Sequence, residues 1–222
     1  MRLLALDTAF EACLVGVVDG DRVVTRSIDA GRTHAEHLMG LIAEAMSEAG
    51  LAFGDLDRIA VTTGPGSFTG VRIGIAAARG LALVNRTATV GVTTLAVHAE
   101  EARRLLGAKP VLAVIAAGRG ELYGALFAAD GREMEAPAAA SPQIFAAMVA
   151  DDTLIAGSGA DLVLAALPMA PRVIVAHRRS SPSVDALCAL AARIPASQEP
   201  VRPLYLRPPD AKPQVAAAVA RR

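Results

Sequence analysis

Apolar and polar positions along the first half of the chain change period in a fixed order. Residues 2–6, 13–18 and 22–27 are short apolar or alternating runs, the pattern of β-strands. Asp19-Gly20-Asp21 separates the second from the third and reads as a hairpin turn. From residue 33 the period lengthens: Leu38, Leu41, Ile42, Ala45, Met46 and Ala49 recur at helical spacing. Thr33-His34-Ala35-Glu36 matches a capping box at its start, and Gly50 suits the residue after its end. Residues 58–63 then predict a strand, 69–84 a helix, 87–92 a strand and 94–106 a helix. Three strands followed by alternating helices and strands fit an α/β domain with a mixed sheet.

The second half is less periodic. Residues 110–115 and 121–127 predict a hairpin around 116–120, and 142–149 a helix. Residues 153–156 read as a strand running into Gly157-Ser158-Gly159, and 172–176 as another. Residues 183–193 predict a helix with Ser183 at its N-cap. The alanines at 136–140, flanked by Pro137 and Pro142, read as a loop. From Pro200 onward, prolines at 203, 208, 209 and 213 predict an extended tail.

Between the strand at 58–63 and the helix at 69–84 lies Gly64-Pro65-Gly66-Ser67-Phe68-Thr69-Gly70. Gly64 and Gly66 permit backbone angles closed to other residues, and Ser67 or Thr69 can cap the helix. Gly70, Gly74 and Ala78 then recur every fourth residue and leave a strip without side-chain bulk. Two uses fit such a strip: contact with another backbone, or tight packing inside the chain's own domain. A helix N-terminus after a glycine turn also suits an anion. Neither the Walker pattern nor the dinucleotide fingerprint is present, however.

Composition narrows the classes. Hydrophobic residues are 53% of the 222, which excludes a disordered chain. The formal net charge is zero, so the chain alone exerts no long-range field on nucleic acid. The pairs Arg103-Arg104, Arg178-Arg179 and Arg221-Arg222 read as solvated surface. Cys13 and Cys188 are too few for a disulfide framework or a zinc site, and both read as core. Asp7 interrupts the first apolar run too early for a signal peptide, and no run spans a membrane. The expectation is a reduced, cytoplasmic protein.

Several motifs in order carry a resemblance. Leu4-Ala5-Leu6-Asp7-Thr8-Ala9, the helix opening at Thr33-His34-Ala35-Glu36-His37-Leu38, and the segment from Gly64 to Gly74 are similar to the TsaB family. Gly91-Val92-Thr93-Thr94-Leu95, Gly120-Glu121-Leu122-Tyr123 and Pro203-Leu204-Tyr205-Leu206-Arg207 extend it. That family belongs to bacterial tRNA threonylcarbamoyladenosine biosynthesis. The resemblance implies an actin- and sugar-kinase-like, ribonuclease H-like fold with mixed sheets and a small, degenerate second lobe. On that scheme residues 1–106 form the first lobe, 107–197 the second, and 198–222 a tail packed back on the first. It implies a scaffold subunit that docks the transferase TsaD, supports the ATPase TsaE, and meets tRNA only through the complex. The same surface would also serve a homodimer. The docking surface so implied is Leu38, Leu41 and Ala45 on the first helix, with Gly70, Ile73, Gly74, Ala77, Ala78 and Leu81 on the second.

The rival class is a stand-alone ATPase or small-molecule kinase, and the residues argue against it. Phosphate would lie between two hairpins, near Asp7, Thr8, Gly64, Gly66 and Ser67. The first hairpin has no glycine, and Glu11 would repel a phosphate; a strand-end Asp7 more often bonds its own turn. At the second hairpin, where the family pattern is Asp-Ala-Arg, this chain has Ala116-Ala117-Gly118 followed by Arg119. ATP or ADP is therefore expected at most at an interface shared within the complex. Catalytic relatives hold a metal with a His-x-x-x-His pair; here the matching positions are Thr94 and His98, so no metal is expected. His34 and His37 read as a helix first turn. Ser67 lies outside a Gly-x-Ser-x-Gly elbow, and no hydrolase triad is evident.

Overall fold

A computed structural model describes residues 1–31, 33–168, 172–195 and 199–207. It contains two five-stranded mixed sheets of the same strand order. In the first, β1 (Arg2–Asp7), β2 (Ala12–Asp19) and β3 (Arg22–Asp29) form an antiparallel meander. Helix α1 (His34–Ala49) then leads to β4 (Arg58–Thr62), and α2 (Phe68–Asn85) to β5 (Ala88–Val92). Both strands join parallel to β1, giving β3-β2-β1-β4-β5. Strands β6 (Val111–Gly118), β7 (Glu121–Phe127) and β8 (Glu133–Ala140) repeat the meander. Helices α4 (Pro142–Ala146) and α5 (Ala160–Ala166) carry the chain to β9 (Leu154–Ala156) and β10 (Ile174–His177). The second order, β8-β7-β6-β9-β10, is the first one again, with parallel crossovers shortened to a turn or two of helix.

The last helix of each half packs on the other half. Helix α3 (Thr94–Leu106) follows β5, yet Leu95, Ala99 and Ala102 bury against Ile115, Ala125 and Leu154 of the second sheet. Helix α6 (Val184–Arg193) follows β10 and puts Val184, Leu187 and Cys188 under Leu3, Ala5 and Leu14 of the first. The opposite face of the first sheet is covered by α1 and α2. This exchange holds the two lobes together through α3 and α6, which also touch each other. No helix among the described residues is long and apolar enough to cross a membrane.

Most predicted elements are found within a residue or two, with five differences. Residues 136–140 are not a loop but the end of edge strand β8. Proline is tolerated there because an edge strand leaves some amides unpaired. The ladder also shifts register between Gly124 and Leu126, opposite Pro137. Helix α4 is shorter than its periodicity suggests, and α5 lay hidden in a short alanine-rich run. The capping box does not form: the Thr33 hydroxyl donates back to Ala30 O at 2.8 Å. Ser183 likewise makes no side-chain cap bond. Cys13 and Cys188 are buried free thiols. The tail prolines beyond residue 207 and Arg221-Arg222 lie outside the described residues.

Candidate functional site

The turn after β1 and the start of α2 are built into each other. Asp7 ends β1 almost fully buried; its Oδ1 accepts from Ala9 N at 2.8 Å and from Thr62 Oγ1 at 2.7 Å. Burial raises its pKa, and those two hydrogen bonds pull the other way. Thr8 Oγ1 donates to Gly70 O at 2.7 Å, and Ser67 N donates to Ala9 O at 2.7 Å. Ser67 Oγ caps α2 by accepting from Gly70 N at 3.2 Å. The glycines are what permit this approach. A Cβ on Gly66 would stand 2.5 Å from Ala9 O, one on Gly70 2.0 Å from Thr8 O, and one on Gly74 2.5 Å from Thr8 Oγ1.

This corrects the predicted docking strip. The chain's own first turn fills it: the Thr8 carbonyl lies against Gly70 and the Thr8 hydroxyl against Gly74, and Ala78 is fully buried in the core. Leu38, Leu41 and Ala45 face the same core. Of the nine predicted interface residues, only Ile73, Ala77 and Leu81 reach solvent, each half-buried. At the N-terminus of α2, where the phosphate reading placed an anion, Ser67 N and Gly70 N bond within the chain.

A second small-residue surface lies on the outer side of both helices. On α2, Ile73, Ala77, Gly80 and Val84 recur at helical spacing, with Val84 81% exposed and neighbouring Leu83 82% exposed. On α1, Gly40 and Ala43 are exposed next to Met39. Nothing lies within 4 Å of a Cβ placed on Gly40 or Gly80, so both positions are open.

The segment 199–207 crosses between the lobes. Leu204 N donates to Thr63 O at 2.8 Å, and Val201 is buried against Gly91. Tyr205 stacks on Phe68 with ring centroids 5.2 Å apart and accepts from Arg72 Nε at 2.7 Å. Arg207 reaches the second hairpin, donating to Ala117 O at 3.0 Å and pairing with Glu121. Residues 199–207 form no strand and run as a strap.

Comparison with known proteins agrees with this architecture. The TsaD family, described as tRNA N6-adenosine threonylcarbamoyltransferase, matches residues 26–153. The chain is 40% identical to Escherichia coli tRNA threonylcarbamoyladenosine biosynthesis protein TsaB over 142 residues, 61% of this chain and 62% of that one. It superposes on the structure of YeaZ from Pseudomonas aeruginosa with a TM-score of 0.77 at 31% identity, covering 92% of this chain and 99% of that one. The chain belongs to the TsaB/YeaZ family. Its matches span less than two thirds of the length of the TsaB proteins found. The inorganic polyphosphate/ATP-glucomannokinase of an Arthrobacter strain shares the fold, with a TM-score of 0.50 at 14% identity over 87% of this chain.

Within this TsaB-family chain, the histidines separate. His34 Nε2 lies 2.6 Å from Phe10 O, holding α1 to the first turn, while His37 is half-buried one turn on. Thr94 is fully buried, its amide donating to Gly64 O at 2.8 Å. His98, one turn later, is also fully buried, its Nε2 3.0 Å from Ser180 O. Sequence reasoning missed three features: the outer glycines, the strap residues Tyr205 and Arg207, and the neighbours of His98. The first was legible as a second helical stripe, whereas the others join residues far apart in the chain.

Proposed function

We propose that this chain is a partner subunit in tRNA threonylcarbamoyladenosine biosynthesis, docking a TsaD-type transferase through the outer face of α1 and α2. The observation that carries the reading is the open space at Gly40 and Gly80, beside solvent-exposed Met39, Leu83 and Val84. A surface of that kind on a stable domain is suited to a helix of another chain. The identity of the partner is supported by the match of the TsaD family to residues 26–153, a span that contains both helices. A TsaD chain would thus carry a related helix pair, and two like pairs can pack about a pseudo-twofold axis. The names of the E. coli and other TsaB relatives support the pathway. TsaE would join the assembled pair, tRNA would be reached through the complex, and ATP or ADP would lie at a shared interface.

Gly80→Arg tests the docking. It should leave circular dichroism and thermal unfolding unchanged and abolish copurification with TsaD. Wild-type assembly of Gly80→Arg with TsaD overturns the reading. Sedimentation of the chain alone supplies the other arm. Loss of a homodimer on Gly80→Arg, with TsaD binding intact, assigns this face to a second copy of this chain.

A further inference from the structure

Three buried side chains outside the docking face converge at the joint between the lobes. His98 and Glu101 lie one turn apart on α3, and His177 ends β10 on the second sheet. His98 Nδ1 is 3.5 Å from His177 Nε2, and His177 Nε2 is 3.4 Å from Glu101 Oε2. The three candidate ligand atoms all fall within 4.8 Å of one another.

These separations are long for hydrogen bonds, which favour about 2.7–3.2 Å. The two distances match edges of a tetrahedron around a metal, because bonds of about 2.0–2.2 Å place neighbouring ligands roughly 3.3–3.6 Å apart; the third pair, within 4.8 Å, would close by a small side-chain shift. The protonation pattern points the same way. His98 Nε2 lies 3.0 Å from Ser180 O, a carbonyl that can only accept, so the proton sits on Nε2 and the Nδ1 lone pair faces the cluster. This is the outer-shell bond that fixes the tautomer of a ligating histidine. His177 Nδ1 is buried and has no hydrogen-bond partner among the described residues, so only the groups facing Nε2 act on its tautomer. Glu101 is positioned from outside: Ser183 N donates to Oε2 at 2.9 Å, and Arg179 pairs with Oε1. Among the described residues Arg179 is the cation paired with the carboxylate, and its side chain is 57% exposed, able to swing into solvent when a second cation arrives.

We propose that His98, Glu101 and His177 form a site for a divalent transition-metal ion of the zinc class, which clasps α3 to the end of β10. Two imidazoles and one carboxylate are a borderline-soft set suited to zinc over magnesium or calcium. The ion would pin the crossover from β10 to α6, the element exchanged onto the first sheet.

The test uses the full-length, tag-free chain after dialysis against a chelator, with Co2+ and then Zn2+ as probes. Co2+ should give the visible bands of a tetrahedral complex at one ion per chain, and one equivalent of Zn2+ should displace it. Zn2+ should raise the thermal midpoint, since an ion that binds only the folded state stabilises it. His177→Gln and Glu101→Gln should each weaken Co2+ binding at least about tenfold, the lower bound for losing even an outer-shell partner. His37→Gln should leave it unchanged. Imidazole 15N spectra of the wild-type chain need no variant: Zn2+ should move His98 Nδ1 and His177 Nε2. Absence of tetrahedral bands, wild-type affinity in both variants, or unmoved nitrogen shifts each overturns the site.

Discussion

The two sides of α2 place small residues in the same helical rhythm for opposite ends. On the inner side Gly70, Gly74 and Ala78 let the first turn of the chain come within atomic contact of the helix. On the outer side Gly80 faces empty space, beside half-buried Ala77 and exposed Leu83 and Val84. The inner strip is a finished contact, and its glycines are required by Thr8 atoms already in place, the carbonyl at Gly70 and the hydroxyl at Gly74. The outer strip is an unfinished one. Small residues therefore mark close approach without saying whether the approaching backbone belongs to the same molecule. The decisive quantity is what a methyl group would meet.

Adding one methyl group to each side breaks the comparison most directly. Gly70→Ala drives a Cβ to 2.0 Å from Thr8 O, a backbone atom fixed by the β1 ladder on one side and by Thr8 Oγ1 donating to Gly70 O on the other. Overpacking commonly costs about 1–3 kcal/mol and more where backbone must move. Gly70→Ala should lose about 3 kcal/mol or more in chemical denaturation. A loss below about 1 kcal/mol would mean that the first turn and α2 are not locked together.

The strap at 199–207 ranks next. Tyr205 is 45% exposed, yet it stacks on Phe68 and accepts from Arg72, whose guanidinium lies 3.7 Å from the Phe68 ring centroid. An aromatic pair contributes about 0.5–1.5 kcal/mol beyond its buried area. Tyr205→Ala should cost about 1 kcal/mol and speed proteolytic cleavage after residue 199, while α2 itself keeps its amide-exchange protection. Cleavage no faster than wild type would show that Leu204 and Val201 hold the strap without the ring.

How far the chain could be read follows from the range of each interaction. Strands β1 to β5 and helices α1 to α3 were legible because their alternation and 3.6-residue repeats are local. β8 was not, because Pro137 and a run of alanines carry no strand signal and only pairing with β7 defines it. Helix α2 is apolar on two sides, so its periodicity named both stripes without saying which one pointed inward. The resemblance then directed attention to Gly70 and Gly74, which the fold uses internally. His98 read as an isolated imidazole because its neighbour His177 is 79 positions away, brought there by the crossing of β10 beside α3. A Thr33 hydroxyl with two available partners likewise chose Ala30 O over the helix amide, a competition that sequence spacing does not rank.

The smallest effect, and the sharpest for the comparison, is Gly80→Ala on the outer side. Gly80 lies inside α2, exposed, with nothing within 4 Å of the added carbon. Glycine in a helix interior costs about 0.5–1 kcal/mol relative to alanine, so the substitution should stabilise the isolated chain by that amount. The same change is thus expected to have one sign at Gly80 and the other at Gly70, ten residues away on the same helix. Paired measurements separate stability from docking: Gly80→Ala should raise the denaturation midpoint and, by keeping a helix backbone at a distance, lengthen the TsaD contact and weaken it. A natural glycine that costs the free chain stability is explained by a partner that needs the space. If Gly80→Ala gains stability and binds TsaD as tightly as wild type, that explanation fails, and the outer glycine has no role in the contact.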